Sequence, residues 1–194
     1  MTGLIILAAG SSSRLGKPKQ NLIYQGKTLL QKAIDAGQSS VCQPIVVVLG
    51  ANLGLIRPTI ENKPITIIQN EDWQEGMASS IRVGIKGIQN SAPNISSVIL
   101  MLCDQPFVDA AILNGLVKSN ADNYAGIAGC AYNDTIGPPV IFDSVYFDEL
   151  LLLKGQEGAK KLLFKYIDKV AAIPFSLGKI DIDTIEDYER ISRL

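Results

Sequence analysis

The sequence predicts an α/β fold built on a largely parallel sheet, and three observations carry that reading. Short runs rich in Ile, Val and Leu recur along the chain, helical periodicities fall between them, and neither a repeat nor a linker rich in Pro, Gly or Ser breaks the alternation. With 194 residues, 47% of them apolar and 19% charged, the chain can bury one continuous core. Residues 1–194 are therefore expected to form a single domain.

Taken in order, Leu4 to Ala9, Ile45 to Leu49, Ile65 to Ile68 and Val98 to Leu102 read as strands buried on both faces. Thr28 and Gln31 spell a capping box, Leu30, Ala33 and Ile34 follow at helical spacing, and Gly37 is expected to stop that helix. From Gly76, the residues Met77, Ile81, Ile85 and Ile88 form one apolar stripe expected to pack on the sheet. Asp109 is placed to cap a helix carrying Ile112, Leu113 and Leu116. Beyond Ala121, Ala125 to Ala131 and Val140 to Phe142 read as strands, and Ala159, Leu162, Leu163 and Tyr166 as one helical face. Ala171 to Pro174 and Lys179 to Ile182 read as extended. Thr184 and Asp187 then open a last helix, with Glu186/Arg190 and Glu189/Arg193 at the favourable i,i+4 order.

Composition excludes several functions. Eighteen basic against nineteen acidic residues leave a net charge of -1, so no overall field holds a nucleic acid, and any anionic ligand must be gripped locally. Histidine is absent, which removes Ser/His and Cys/His nucleophilic dyads and imidazole zinc sites. Cys42, Cys103 and Cys130 lie far apart beside apolar stretches and read as reduced buried thiols. The longest apolar runs are strand-sized and the start lacks a basic leader, so a cytoplasmic protein with no membrane association is expected.

Three stretches carry candidate chemistry. The first, Leu7 to Lys19, leaves a buried strand for a small-residue loop holding Arg14, Lys17 and Lys19. Gly10 and the serines let backbone N–H groups approach oxyanions, and Arg14 and Lys19 add charge-assisted bonds. Pro18 stands where a Walker A loop needs its Ser or Thr, and the loop is not GxGxxG. A flexible turn with solvated lysines is the competing reading. In an open α/β sheet, however, ligands bind outside the carboxyl ends of strands. The second, Val98 to Pro106, ends a buried strand in Asp104, at the same sheet edge, where a carboxylate suits magnesium or simply caps a turn. The third, Lys179 to Thr184, puts Asp181 and Asp183 on one face, close enough to need a cation, unless Asp183 only caps the final helix.

Together with Gly76-Met77-Ala78-Ser79-Ser80, Asp104-Gln105-Pro106, Gly137-Pro138-Pro139 and Asp181-Ile182-Asp183-Thr184, the loop Leu7 to Lys19 resembles the MobA-like NTP-transferase family across nearly the whole chain. Its Ala8-Ala9-Gly10 is similar to the molybdenum cofactor cytidylyltransferase branch, whereas guanylyltransferases usually carry a second glycine. The resemblance implies a Rossmann-like mixed, mostly parallel sheet with helices on both faces, of the nucleotide-diphospho-sugar transferase type. It implies transfer of CMP from CTP to the terminal phosphate of molybdopterin, with Mg2+ as cofactor and pyrophosphate released. Arg14, Lys19 and Asp104 would be catalytic. Asp104 and Asp183, favoured over Asp181, would hold the metal. Leu7, Ala8, Ala9, Gly10, Ser11, Ser12, Arg14, Lys19, Gly50, Asn70, Gly76, Ser79 and Ser80 would bind the nucleotide. A molybdoenzyme or its chaperone would be the protein partner. The acceptor pocket is expected from Gly129 to Pro139 and around Gly155 to Lys161. The chain departs from the family where Ile185 replaces a proline of the terminal motif, and where two serines, Ser79 and Ser80, stand at one pattern position. A related transferase with another phosphorylated acceptor and a non-catalytic cofactor-binding accessory protein are the competing functions.

Overall fold

Apolar alternation on a central strand organises the whole molecule, seen in a computed structural model that describes residues 1–123 and 125–193. In β1 (Thr2–Ala8), Leu4, Ile6 and Ala8 enter one core while Ile5 and Leu7, followed by Ala9, enter another on the opposite face. The hairpin β2 (Ile23–Tyr24) and β3 (Lys27–Thr28) leads into α1 (Leu29–Gln38), then β4 (Ile45–Leu49), α2 (Leu53–Ile56), β5 (Thr66–Gln69), α3 (Met77–Ser91) and β6 (Ser97–Leu102). The second half runs α4 (Ala110–Asn123), β7 (Ile127–Tyr132), β8 (Thr135–Asp143), α5 (Phe147–Leu151), α6 (Lys160–Lys165), β9 (Val170–Pro174) and α7 (Ile185–Ile191).

Seven strands form one sheet in the order β5-β4-β1-β6-β8-β7-β9. β1 pairs in parallel with both β4 and β6, β8 runs antiparallel to β6 and β7, and β9 returns parallel to β7. This is the mixed, mostly parallel sheet that the sequence predicts. Helices cover both faces: Leu30, Ala33 and Ile34 of α1 and Leu113 and Leu116 of α4 join one core, and Ile81, Ile85 and Ile88 of α3 join the other. Those three isoleucines are fully buried, each contributing about 1.5–3 kcal/mol relative to exposure. The chain builds β4 and β5 on one side of β1, and α3 then carries it across to β6 on the other. The crevice where strand order reverses thus lies at the carboxyl ends of β1 and β6.

Both predicted capping boxes form, at Thr28/Gln31 and Thr184/Asp187, and the Asp109 carboxylate accepts the Ile112 N–H at 2.9 Å. Four local expectations change. Gly37 does not stop α1 but sits inside it, where a Cβ would stand 2.5 Å from Leu4 Cδ2, so the glycine permits helix and sheet to touch. Met77 is not packed on the sheet; it stays partly exposed at the start of α3. Lys179 to Ile182 is not a strand, because a 3-10 turn at Ser176–Lys179 closes on Phe175 and Ile180 follows as irregular chain. Arg190 pairs with Asp187 at 3.6 Å rather than with Glu186, while Arg193 meets Glu189 as expected.

A third, smaller core joins the two ends of the chain. Leu15, Leu22, Tyr24 and Leu29 pack against Ile182 and Ile191, and the Tyr188 hydroxyl donates to the Ile23 carbonyl at 2.7 Å. This contact brings the segment before α7 to the loop after β1. Among the described residues, no helix is long and apolar enough to cross a membrane.

Candidate functional site

The loop after β1 leaves the sheet at Ala9 and reverses through Ser12, whose φ of 56° is left-handed. Leu15 N–H closes the turn on the Ser12 carbonyl at 2.9 Å, and Leu15 anchors it in the third core. A short 3-10 turn at Lys19–Asn21 follows. It directs Lys19 towards the end of β6 and buries Gln20 beneath the loop.

Four charges from three distant segments meet there. Lys19 Nζ lies 2.5 Å from Asp104 Oδ2 and 2.8 Å from Asp183 Oδ1, and Arg14 Nη2 lies 2.8 Å from Asp183 Oδ2. Asp104 is carried by the end of β6, two residues past Leu102. Asp183 is fixed from both sides: the Ile182 N–H donates to the Asp104 carbonyl at 3.1 Å, and Thr184 caps α7. The helix cap is therefore Thr184, not Asp183.

Electrostatics follow from this packing. Burial works against the Lys19 ammonium, yet the charge of Asp104 and hydrogen bonds to Asp104 and Asp183 hold its pKa above the ordinary lysine value. For Asp183 burial opposes ionisation, but Lys19 and Arg14 outweigh it and keep the carboxyl below the usual range. Asp181 shifts the other way, raised by burial and then by the nearby Asp104, and it makes no ion pair among the described residues. Burial, with Asp104 next to it, pushes the Cys103 thiol up to about 12, so it stands neutral against the core.

A cavity of about 330 Å³ opens beside Lys19. Of the residues the sequence singles out, Leu7, Ala8, Ala9, Gly10, Ser11, Lys19, Gly76, Ser80 and Asp104 line it. Arg14 and Asp183 join it through the ion pairs around Lys19. Ser12 is behind the loop, where its Oγ accepts the Lys19 N–H at 3.0 Å. Gly50, Asn70 and Ser79 do not line the cavity. A Cβ on Gly50 would stand 2.6 Å from the Ala9 carbonyl, so the glycine lets the loop lie against β4. Asn70 Nδ2 donates to the Ser79 and Ser80 hydroxyls at 2.8 and 2.9 Å, and Ser79 Oγ turns to the Gly76 carbonyl at 2.8 Å. Of the two serines, Ser80 faces the cavity.

The far wall consists of Trp73, Gln74, Met77 and Gln156; Met77 belongs to the Gly76 motif and Gln156 to the Gly155 to Lys161 stretch, while no sequence pattern assigns a role to Trp73 or Gln74. It is held by a brace. Arg82 donates to both Glu75 carboxylate oxygens at 2.8 and 2.5 Å and to the Leu153 carbonyl at 2.8 Å, and the Gly155 N–H donates to Glu75 Oε1 at 3.1 Å. The Arg82 hydrogen bonds, then that of Gly155, pull the Glu75 pKa down to about 2. The Gly155 carbonyl in turn accepts the Ala78 N–H, and it approaches so closely that a Cβ on Gly76, at φ 126°, would stand 2.5 Å away. Gly76 marks this crossing in the sequence, and Gln156 falls in the Gly155 to Lys161 stretch expected to border the acceptor. None of Gly129 to Pro139 lines the cavity, and Tyr132 to Ile136 instead border a separate hollow of about 580 Å³.

Asp104 Oδ1 is buried without a protein partner. Among the described residues, no group of three or more His, Cys, Asp or Glu is arranged to hold a metal ion. Two carboxylates beside an open cavity fit a hard cation that draws its other ligands from water and substrate, and do not fit a closed protein cage.

The seven-stranded sheet with its cavity at the strand-order reversal defines an α/β protein of the nucleotide-diphospho-sugar transferase type. The chain belongs to the MobA-like NTP transferase family, whose model matches residues 4–170. That span contains Arg14, Lys19 and Asp104 but not Asp183. The chain is 29% identical to nicotine blue oxidoreductase of Paenarthrobacter nicotinovorans (96% of this chain, 94% of the relative). It is 27% identical to purine catabolism protein PucB of Bacillus subtilis (97% and 95%). With molybdenum cofactor cytidylyltransferase of Escherichia coli it shares 33% identity over 44% of each chain. Among solved structures, Rv0371c of Mycobacterium tuberculosis superposes with a TM-score of 0.87 at 30% identity, covering 100% of this chain and 97% of that one. A second structure of Rv0371c is a complex with manganese.

Proposed function

We propose that this protein transfers CMP from CTP to the terminal phosphate of molybdopterin and releases pyrophosphate, with magnesium as its cofactor. One observation carries the reading: Arg14, Lys19, Asp104 and Asp183 come from three distant segments into one ion-pair cluster at the carboxyl edge of the sheet, and Lys19 and Asp104 of that cluster line the cavity. The likeness to the E. coli cytidylyltransferase supports the donor and acceptor, and the manganese complex of Rv0371c supports a divalent ion.

A phosphate nucleophile is already anionic and needs no strong base, so a chain without histidine is not handicapped. The work left to the protein is alignment and charge neutralisation. Gly10 and Ser11 offer backbone donors at the mouth of the loop, Lys19 and Arg14 meet the negative charge that builds on the reacting and leaving phosphates, and Ser80 with the far wall holds the nucleoside. Asp104 and Asp183 would hold magnesium, which when bound offsets phosphate charge that the two cations do not. The reach of Asp183 to Lys19 supports its choice over Asp181.

Pyrophosphate release measured over the four nucleoside triphosphates, with and without molybdopterin, tests the proposal, beside the variant Asp104→Ala. Release is expected only with CTP and molybdopterin together, and the folded variant is expected to lose it. Release with another acceptor alone would favour a sister transferase, and tight CTP binding without release an accessory protein. The likeness to nicotine blue oxidoreductase along 96% of the chain favours a second reading, a redox reaction in the same cavity. Oxidation or reduction of an added substrate with no pyrophosphate released would favour it.

A further inference from the structure

We infer that Gln20 is a positioning residue that sets the peptide planes of the loop after β1 so that its amides face a triphosphate; the inference rests on the proposed function. Gln20 is fully buried although it is a polar side chain at a loop. Its Nε2 donates to the Ala8 carbonyl at 2.8 Å and to the Gly10 carbonyl at 3.1 Å, and its Oε1 takes the Ser12 hydroxyl at 3.5 Å. Ser12 in turn accepts the Lys19 N–H. One amide thus ties the start of the loop, its left-handed reversal and the turn carrying Lys19.

Peptide planarity gives these bonds a direction. In a trans peptide, a carbonyl and the following N–H point to opposite sides. With the Gly10 carbonyl turned onto Gln20, the Ser11 N–H is turned away from it. The Ala9 carbonyl is likewise held, by the Ala51 N–H at 3.1 Å, which fixes the Gly10 N–H. Among the described residues, the N–H groups of Gly10, Ser11, Ser12 and Ser13 donate to no protein acceptor. They form a run of free donors beside the ammonium of Lys19: Ala51 sets the Gly10 N–H and Gln20 the Ser11 N–H, while Asn52 Nδ2 on the Ser11 carbonyl at 3.3 Å and the Leu15 N–H on the Ser12 carbonyl at 2.9 Å set those of Ser12 and Ser13. Without the two Gln20 donors, the Gly10 peptide is free to turn over, which would present a carbonyl oxygen where the anion needs an N–H.

The test is the binding of CTP and of CMP, each with magnesium, to wild type, Gln20→Met and Gln20→Glu. Both variants keep the length of the side chain; Gln20→Met loses both donors, and Gln20→Glu keeps at most the one of a protonated carboxyl. Each is expected to bind CTP roughly ten- to a hundredfold more weakly, as for one or two lost hydrogen bonds, while CMP binding falls far less. Amide exchange at Gly10, Ser11 and Ser12 of the wild type is expected to slow on adding CTP. Equal losses for CTP and CMP, unchanged CTP binding, or an unslowed Ser11 amide in the CTP-bound wild type would each overturn the clamp. The exchange result decides even if neither variant folds. Wild type that binds no nucleoside triphosphate would remove the proposed function itself, an outcome separate from equally tight wild type and variants.

Discussion

The two sides of the cavity are built differently. The side at the end of β1 and β6 is charged, and each charged group is held by another: Lys19 by two carboxylates, Asp183 by two cations. The opposite side is neutral at its surface, with Trp73, Gln74, Met77 and Gln156, and the ion pair of Arg82 with Glu75 stands behind as support. A site divided this way suits a ligand with a polyanionic end and an uncharged ring, each side contributing a different kinetic quantity.

The largest test of this division sets Lys19→Met against Gln156→Ala. Removing the ammonium is expected to lower kcat by roughly a hundred- to a thousandfold, by analogy with deleted oxyanion donors. Gln156→Ala is expected to raise KM and leave kcat near its original value. Steady-state kinetics check both, and an equal fall in kcat would abolish the contrast. Next in size is Glu75→Gln, which weakens the brace and releases Gly155 and Gln156. KM is expected to rise and amide exchange at Gly155 to quicken, with kcat spared; a wall that stays rigid would assign Glu75 to the surface alone.

The smallest effect is in stability against pH. The Asp183 carboxyl lies below the ordinary value of 3.8 in the folded protein, so its contribution is present above that pH and is lost as pH falls through the folded value. Asp181 is raised, so its ionisation opposes folding at neutral pH. Urea unfolding of Asp183→Asn is expected to show destabilisation at pH 7 that fades in acid, whereas Asp181→Asn gains stability at pH 7. Like signs for the two variants would show that Lys19 and Arg14 do not select between them.

The contrast between the two sides also explains what could be read from the sequence. The charged side is legible because its parts are local: a strand running into glycine and serines, and a buried strand ending in Asp104. The strands and both capping boxes are legible for the same reason, since their signals lie within a few residues. The neutral wall is legible only in part. The stretch around Gly155 to Lys161 is singled out, but that Gln156 of it reaches this cavity depends on Arg82 and Glu75 pinning a loop some 80 residues downstream of Glu75, which no short pattern shows. Gly37 misleads for a related reason: a glycine that ends a helix and one that lets it touch a strand look alike until the strand is placed. Gln20, next to Lys19, was hidden by its charged neighbour.

Lys19 and Asp183 stand 164 positions apart. On the ribosome, a growing chain acquires Arg14 and Lys19 early and Asp104 near the middle, while Asp183 and the helix that seats it emerge late. Until Asp183 is in place, Lys19 has one of its two carboxylate partners and Arg14 lacks its own. The charge balance of the rim is thus completed only when the segment before α7 packs against the loop after β1 and the end of β6.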